Sequence, residues 1–153
     1  MPCYNGGMKS MVVYGSNFGN TQKVAEAIAA ELGAQAVRVE NIDEEALSDV
    51  DLLIVGTPIN GWQPTEAIRE FLAAFRPGQL KGVKATSFDT RVKLFIHGDA
   101  MKKVAKALRE VGAQIVCEPR AFYVAGSQQE PHLLDGELNR ARLWALEIKA
   151  AGD

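Results

Sequence analysis

Apolar residues along this chain fall into short continuous runs, each followed by a stretch in which they recur at helical spacing; runs of the first kind form buried strands and stretches of the second form amphipathic helices. The first run is Met11, Val12, Val13 and Tyr14. It breaks at Gly15, passes through a small and polar loop at residues 16–21, and enters a segment where Val24, Ile28 and Leu32 stand four apart. Alanines at 25, 27 and 29 let that helix lie close to a sheet, and Gly33 ends it. Residues 34–39 alternate weakly and read as a second strand near a sheet edge, with Val37 and Val39 on one face. The acidic stretch 41–49 holds one helical turn at 44–47. Residues 51–55 form a continuous apolar strand covered on both faces, ending at Gly56, Thr57 and Pro58.

After a loop at 59–63, Pro64 suits the first turn of a helix that buries Ile68, Leu72 and Phe75 and stops at Pro77 and Gly78. Residues 83–88 give a fourth strand, 89–99 a long connection, and 100–111 a helix with Met101, Val104, Ala105 and Leu108 on its buried side. A fifth strand covers 114–117 and 121–124, interrupted near Pro119, which cannot donate to a ladder. The last helix, 137–150, is expected to bury Leu138, Leu143, Trp144 and either Leu146 or Ile148.

Strands alternating with helices in this way predict a three-layer α/β fold: a five-stranded parallel sheet with helices on both faces. Right-handed crossovers favour the strand order 2-1-3-4-5, which puts a ligand crevice beyond the carboxyl ends of strands one and three. Residues 9–153 are expected to form one domain after a flexible lead at 1–8.

The loop Ser16, Asn17, Phe18, Gly19, Asn20, Thr21 therefore lies at a helix N-terminus, where backbone N–H groups and the positive end of the helix dipole favour an anion. Glycines at 15 and 19 admit close backbone approach, and the serine, asparagines and threonine add hydrogen-bonding groups. Spacing separates the phosphate loops this could be. Only three residues lie between Gly15 and Gly19, and Asn20-Thr21 stands where a nucleoside-triphosphate loop needs Lys-Ser/Thr. A dinucleotide fingerprint needs glycine where Asn17 stands. A loop of this kind suits a single terminal phosphate.

Two further loops leave the same rim. In Thr57, Pro58, Ile59, Asn60, Gly61 and Trp62, the indole is a candidate face for a planar ligand and the Asn60-Gly61 backbone a candidate edge contact. In the connection from Asp89, the candidates for a second face or a polar contact are Thr90, Arg91, Phe95 and His97.

Composition changes this picture mainly by exclusion. The 153 residues suit one domain with a sizeable core, and a net charge of −2 leaves no basic excess to neutralise a nucleic acid. Two cysteines, Cys3 and Cys117, make no disulfide framework, and no signal-like or membrane-spanning apolar stretch stands out, so a soluble cytoplasmic protein is expected. His97, His132 and Cys117 are too scattered for a metal site, and no Gly-x-Ser-x-Gly elbow marks an acyl-transfer nucleophile.

From residue 10 to residue 150 the sequence resembles the flavodoxin family, in its SNFGNT loop, DLLIVGTP strand and loop, SFDT strand end and REVGAQIV junction. The likeness is strongest to short-chain members whose fourth strand ends in Phe-Asp-Thr-Arg, here Phe88 to Arg91. It implies noncovalent FMN, with phosphate on residues 16–21 and the isoalloxazine between the loops beginning at Thr57 and Asp89. It also implies electron transfer between redox partner proteins by a monomer or weak homodimer, with no catalytic residues of its own. An FMN-dependent reductase of a quinone-like molecule is the enzymatic variant. A noncatalytic flavodoxin-fold domain with weak or lost FMN affinity is the competing reading, carried by Phe18, which stands where the family usually has a hydroxyl residue.

Overall fold

The computed structural model describes residues 8–16, 18–59, 63–92, 99–125 and 132–152. The first apolar run is β1 (Ser10–Tyr14), and the periodic segment behind it is α1 (Asn20–Leu32). β2 (Gln35–Arg38) lies at the sheet edge and runs into a single 3-10 turn at Val39–Asn41. α2 (Glu44–Ser48) starts at Asp43, whose side chain accepts the Glu45 N–H and so satisfies a donor the helix itself leaves open. The continuous apolar run is β3 (Leu52–Pro58), followed by α3 (Glu66–Ala73) with Thr65 as its N-cap. β4 (Lys84–Val92), α4 (Ala100–Glu110), β5 (Gln114–Ile115), β6 (Arg120–Ala125), β7 (His132–Leu133) and α5 (Glu137–Gly152) complete the chain.

The sheet runs β2-β1-β3-β4-β6-β7, with β5 also paired to β4. The expected order is thus present, but among the described residues the sheet has seven strands where five were expected. The expected fifth strand is two strands. β5 pairs with Lys84 and Ala85, β6 pairs with β4 from Phe88 to Val92, and both run parallel to β4 on either side of Pro119. Across the break the Thr86 hydroxyl donates to the Cys117 carbonyl at 2.7 Å, replacing a ladder bond with a side-chain one. β7 is antiparallel to β6 and, at two residues, is too short to leave a periodic signal.

Alternation along the strands divides the core. Met11, Val13, Leu53, Val55 and Ala85 pack with Ile68, Leu72 and Phe75 of the α3 segment and Val104 and Leu108 of α4. Val12, Tyr14, Ile54, Phe88 and Phe122 pack on the other side with Val24 and Ile28 of α1 and Trp144 and Ile148 of α5. Phe88, Phe122 and Trp144 meet edge to face with ring centroids 5.8–6.1 Å apart. Phe88 fits because its sheet neighbour on β3 is Gly56, where an added Cβ would stand 2.1 Å from the ring.

Two further expectations about elements are corrected. In α5, Leu143 and Leu146 are exposed while Ala141, Trp144, Ala145 and Ile148 form the buried stripe; a helix can turn only one such stripe to the sheet, and the tryptophan fixes which. The fourth strand does not end at Phe88. Asp89, Thr90 and Arg91 continue the ladder, paired on one side to Thr57 and Pro58 and on the other to Ala121, Phe122 and Tyr123.

Candidate functional site

Because β1, β3 and β4 are parallel neighbours, the connections after them leave one edge of the sheet. Short bonds draw these connections together. The Gly15 N–H donates to the Gly56 carbonyl at 3.0 Å, and the Ile59 N–H to the Thr90 carbonyl at 3.2 Å. A Cβ on Gly15 would lie 2.9 Å from Thr65 Oγ1, so the start of α3 packs directly on the loop after β1.

That loop closes on itself before α1 begins. The Gly19 N–H donates to Ser16 Oγ at 2.9 Å. Gly19 has φ 89°, a left-handed conformation that side chains rarely adopt, and an added Cβ would meet nothing within 4 Å. Among the described residues, then, no other segment packs against that position. Gly19, the N-cap residue, makes no side-chain cap bond and no acidic residue lies in the first turn of α1, so no carboxylate in that turn neutralises the positive end of its dipole. Phe18 is 58% exposed. Asn20 and Thr21 are buried, and the Thr21 hydroxyl shares a 2.8 Å hydrogen bond with the Thr90 hydroxyl, tying the first turn of α1 to β4.

In the second loop Thr57 is fully buried; its hydroxyl donates to the Pro58 carbonyl at 2.8 Å and accepts the Thr65 N–H at 3.1 Å. Pro58 and Ile59 are half-buried at the rim. Asn17, Asn60, Gly61, Trp62, Phe95 and His97 lie outside the described residues.

Asp89 and Arg91 differ most from expectation. Two apart on β4, they point to the same side of the sheet, and both are buried. Arg91 Nε and Nη2 donate to the two Asp89 oxygens at 2.8 and 2.6 Å, while Asp89 Oδ2 also accepts the Met101 N–H in the first turn of α4. Arg91 Nη1 reaches Asp99, which precedes α4, at 3.3 Å. The pair thus clamps the end of β4 to the start of α4. Burial raises the Asp89 carboxyl above its ordinary range, against the opposing pull of Arg91 and the Met101 N–H. For Arg91 burial acts downward, but the Asp89 carboxylate prevails and raises it.

Arg38 is a further residue at this edge, one that periodicity did not single out. It ends β2 in register with Tyr14, and its Nη2 donates to the Ser16 carbonyl at 3.2 Å and to Glu40 at 3.4 Å. The available signal was a cation at the carboxyl end of the strand beside β1. Tyr14 is buried at the end of β1, and burial, followed by the charge of Glu26, raises its phenol above the ordinary value.

Among the described residues no helix is long and apolar enough to cross a membrane. Comparison with known proteins bears on this arrangement. An uncharacterized protein of Methanocaldococcus jannaschii is 22% identical over 147 residues, covering 92% of this chain and 98% of its own. The crystal structure of oxidised flavodoxin 1 from Bacillus cereus superposes with a TM-score of 0.77 at 20% identity, covering 93% of this chain and 97% of its own. The flavodoxin, WrbA-like protein from Agrobacterium tumefaciens does so at 0.77 and 22% identity, covering 95% and 98%. At these identities the likeness concerns the fold. The flavodoxin domain model matches residues 11–92, more than half of the chain and the part that holds β1, α1, β3 and β4. With the loop after β1, the topology and this match in agreement, the chain belongs to the flavodoxin domain family.

Proposed function

We propose that this protein binds FMN without a covalent link and carries electrons between redox partner proteins. The observation that carries the reading is the start of α1: a helix of 13 residues with no acid in its first turn, entered through a left-handed glycine whose added Cβ would meet no atom of the described residues within 4 Å. A phosphate fits the chemistry of that donor set, because the N–H groups in the first turn of a helix have no acceptor within the helix and gain from an anion. In this reading residues 16–21 hold the phosphate mainly through backbone, with Ser16 shaping the loop and Thr21 anchoring it to β4 through Thr90. Pro58, Ile59, Asn60, Gly61 and Trp62 take one side of the ring. Thr57, Asp89 and Arg91, being buried, support the loops from below. Bound FMN would supply reversible electron uptake; the protein supplies orientation, exclusion of water and electrostatics.

Titrating the apoprotein with FMN, followed by flavin fluorescence quenching, tests this. Saturable binding is expected, tighter for FMN than for riboflavin. No saturation by tens of micromolar, equivalent to about 6–7 kcal/mol, would refute it. The exposed Phe18 favours a second reading, a family member that kept the fold with little flavin affinity. That reading stands if the protein purifies colourless and fails the titration.

A further inference from the structure

We infer that Arg38 is a positioning residue for the anion loop after β1 and supplies that loop with a positive charge; the inference rests on the FMN reading above. Ser16 is held from two sides. Its hydroxyl accepts the Gly19 N–H at 2.9 Å, and its carbonyl accepts Arg38 Nη2 at 3.2 Å. A carbonyl beside an anion site presents the wrong end of its dipole, and a guanidinium bonded to that oxygen draws the negative end toward itself. The same bond holds Ser16, whose hydroxyl in turn holds the Gly19 N–H, so Arg38 helps to fix how the chain enters α1. Arg38 can reach because β2 is the edge strand beside β1, and the two strands pair Tyr14 with Arg38 at their carboxyl ends. Glu40 shares the guanidinium at 3.4 Å, and the charges acting on neighbouring Tyr14 are Glu26, Arg38 and Glu40. Among the charges acting on Tyr14, Arg38 is the cation, and its side chain is 38% exposed, so its charge is partly screened by solvent and partly offset by Glu40.

The loop sits at the rim through which FMN would enter, and FMN differs from riboflavin by the phosphate alone. Arg38 is accordingly a determinant of the preference for the phosphorylated flavin. The test measures FMN and riboflavin affinities of the wild type and Arg38→Met at low and high salt. FMN affinity is expected to fall roughly fivefold, riboflavin affinity less than about twofold, with the FMN difference narrowing at high salt. Equal losses for both flavins, or no loss for either, would overturn the inference and leave FMN binding intact. Should Arg38→Met fail to fold, Arg38→Gln carries the same expectation. If the wild type binds neither flavin, the FMN reading falls, and inorganic phosphate followed by the Gly19 amide NMR signal decides about Arg38. Shifts in the wild type that vanish in the variant uphold it; identical shifts in both, or none in the wild type, overturn it.

Discussion

Removing Arg91 should destabilise the protein far more than removing an ordinary strand cation. Side-chain exposure is 4% for Arg91 and 0% for Asp89, so Arg91→Met leaves the carboxylate in the interior with the Met101 N–H as its remaining partner among the bonds described above. Breaking a buried, hydrogen-bonded ion pair at one partner costs about 3–5 kcal/mol, mostly from the charge left uncompensated. Replacing both, in Asp89→Leu with Arg91→Met, removes both charges and should recover more than half of that loss. The two effects should therefore be strongly non-additive. Protonation gives a second signature. With Arg91 gone, nothing equivalent opposes the burial that already raises Asp89, so its carboxyl rises further. The folded variant then binds a proton that the unfolded chain has released, which makes stability fall as pH rises through the folded pKa and recover toward acid. Urea unfolding of the wild type, both single variants and the double variant at pH 7 and pH 5 measures all of this. A loss below about 1 kcal/mol for Arg91→Met, or additive losses independent of pH, would refute the account of this pair as a buried clamp.

Other consequences follow from packing and protonation. Gly56→Ala places a methyl group 2.1 Å from a Phe88 ring already wedged against Phe122 and Trp144, so urea unfolding should show a loss of about 1–3 kcal/mol, partly relieved by Phe88→Leu. At high pH, burial raises Tyr14 and Cys117 above their ordinary values of 10.0 and 9.0, aided by Glu26 and Glu147 respectively. The unfolded chain releases these protons first, so thermal stability should decline progressively above pH 9, less steeply in Tyr14→Phe.

The sequence by itself determined the alternation of strands and helices, the central strand order and the loop that leads into α1. These follow from local rules: a continuous run such as Leu52-Leu53-Ile54-Val55 has few options but a covered strand, and Val24, Ile28 and Leu32 mark one helix face whatever lies beneath it. Where polar residues meet partners far along the chain, local pattern misleads. Asp89, Thr90 and Arg91 look like a loop because they are polar, yet they are strand. Thr90 satisfies its hydroxyl on Thr21, 69 residues away, and Asp89 and Arg91 satisfy each other once the pleat puts them on one face. Arg38 reads as an edge-strand cation until the pairing of β2 with β1 brings it to the Ser16 carbonyl, 22 residues earlier. The choice of Ile148 over Leu146, and the exposure of Leu143 against expectation, were likewise settled only when Trp144 locked against Phe88 and Phe122. Hydrophobic periodicity encodes which residues leave water; the partners that let a polar residue do the same are fixed only by how distant segments pack.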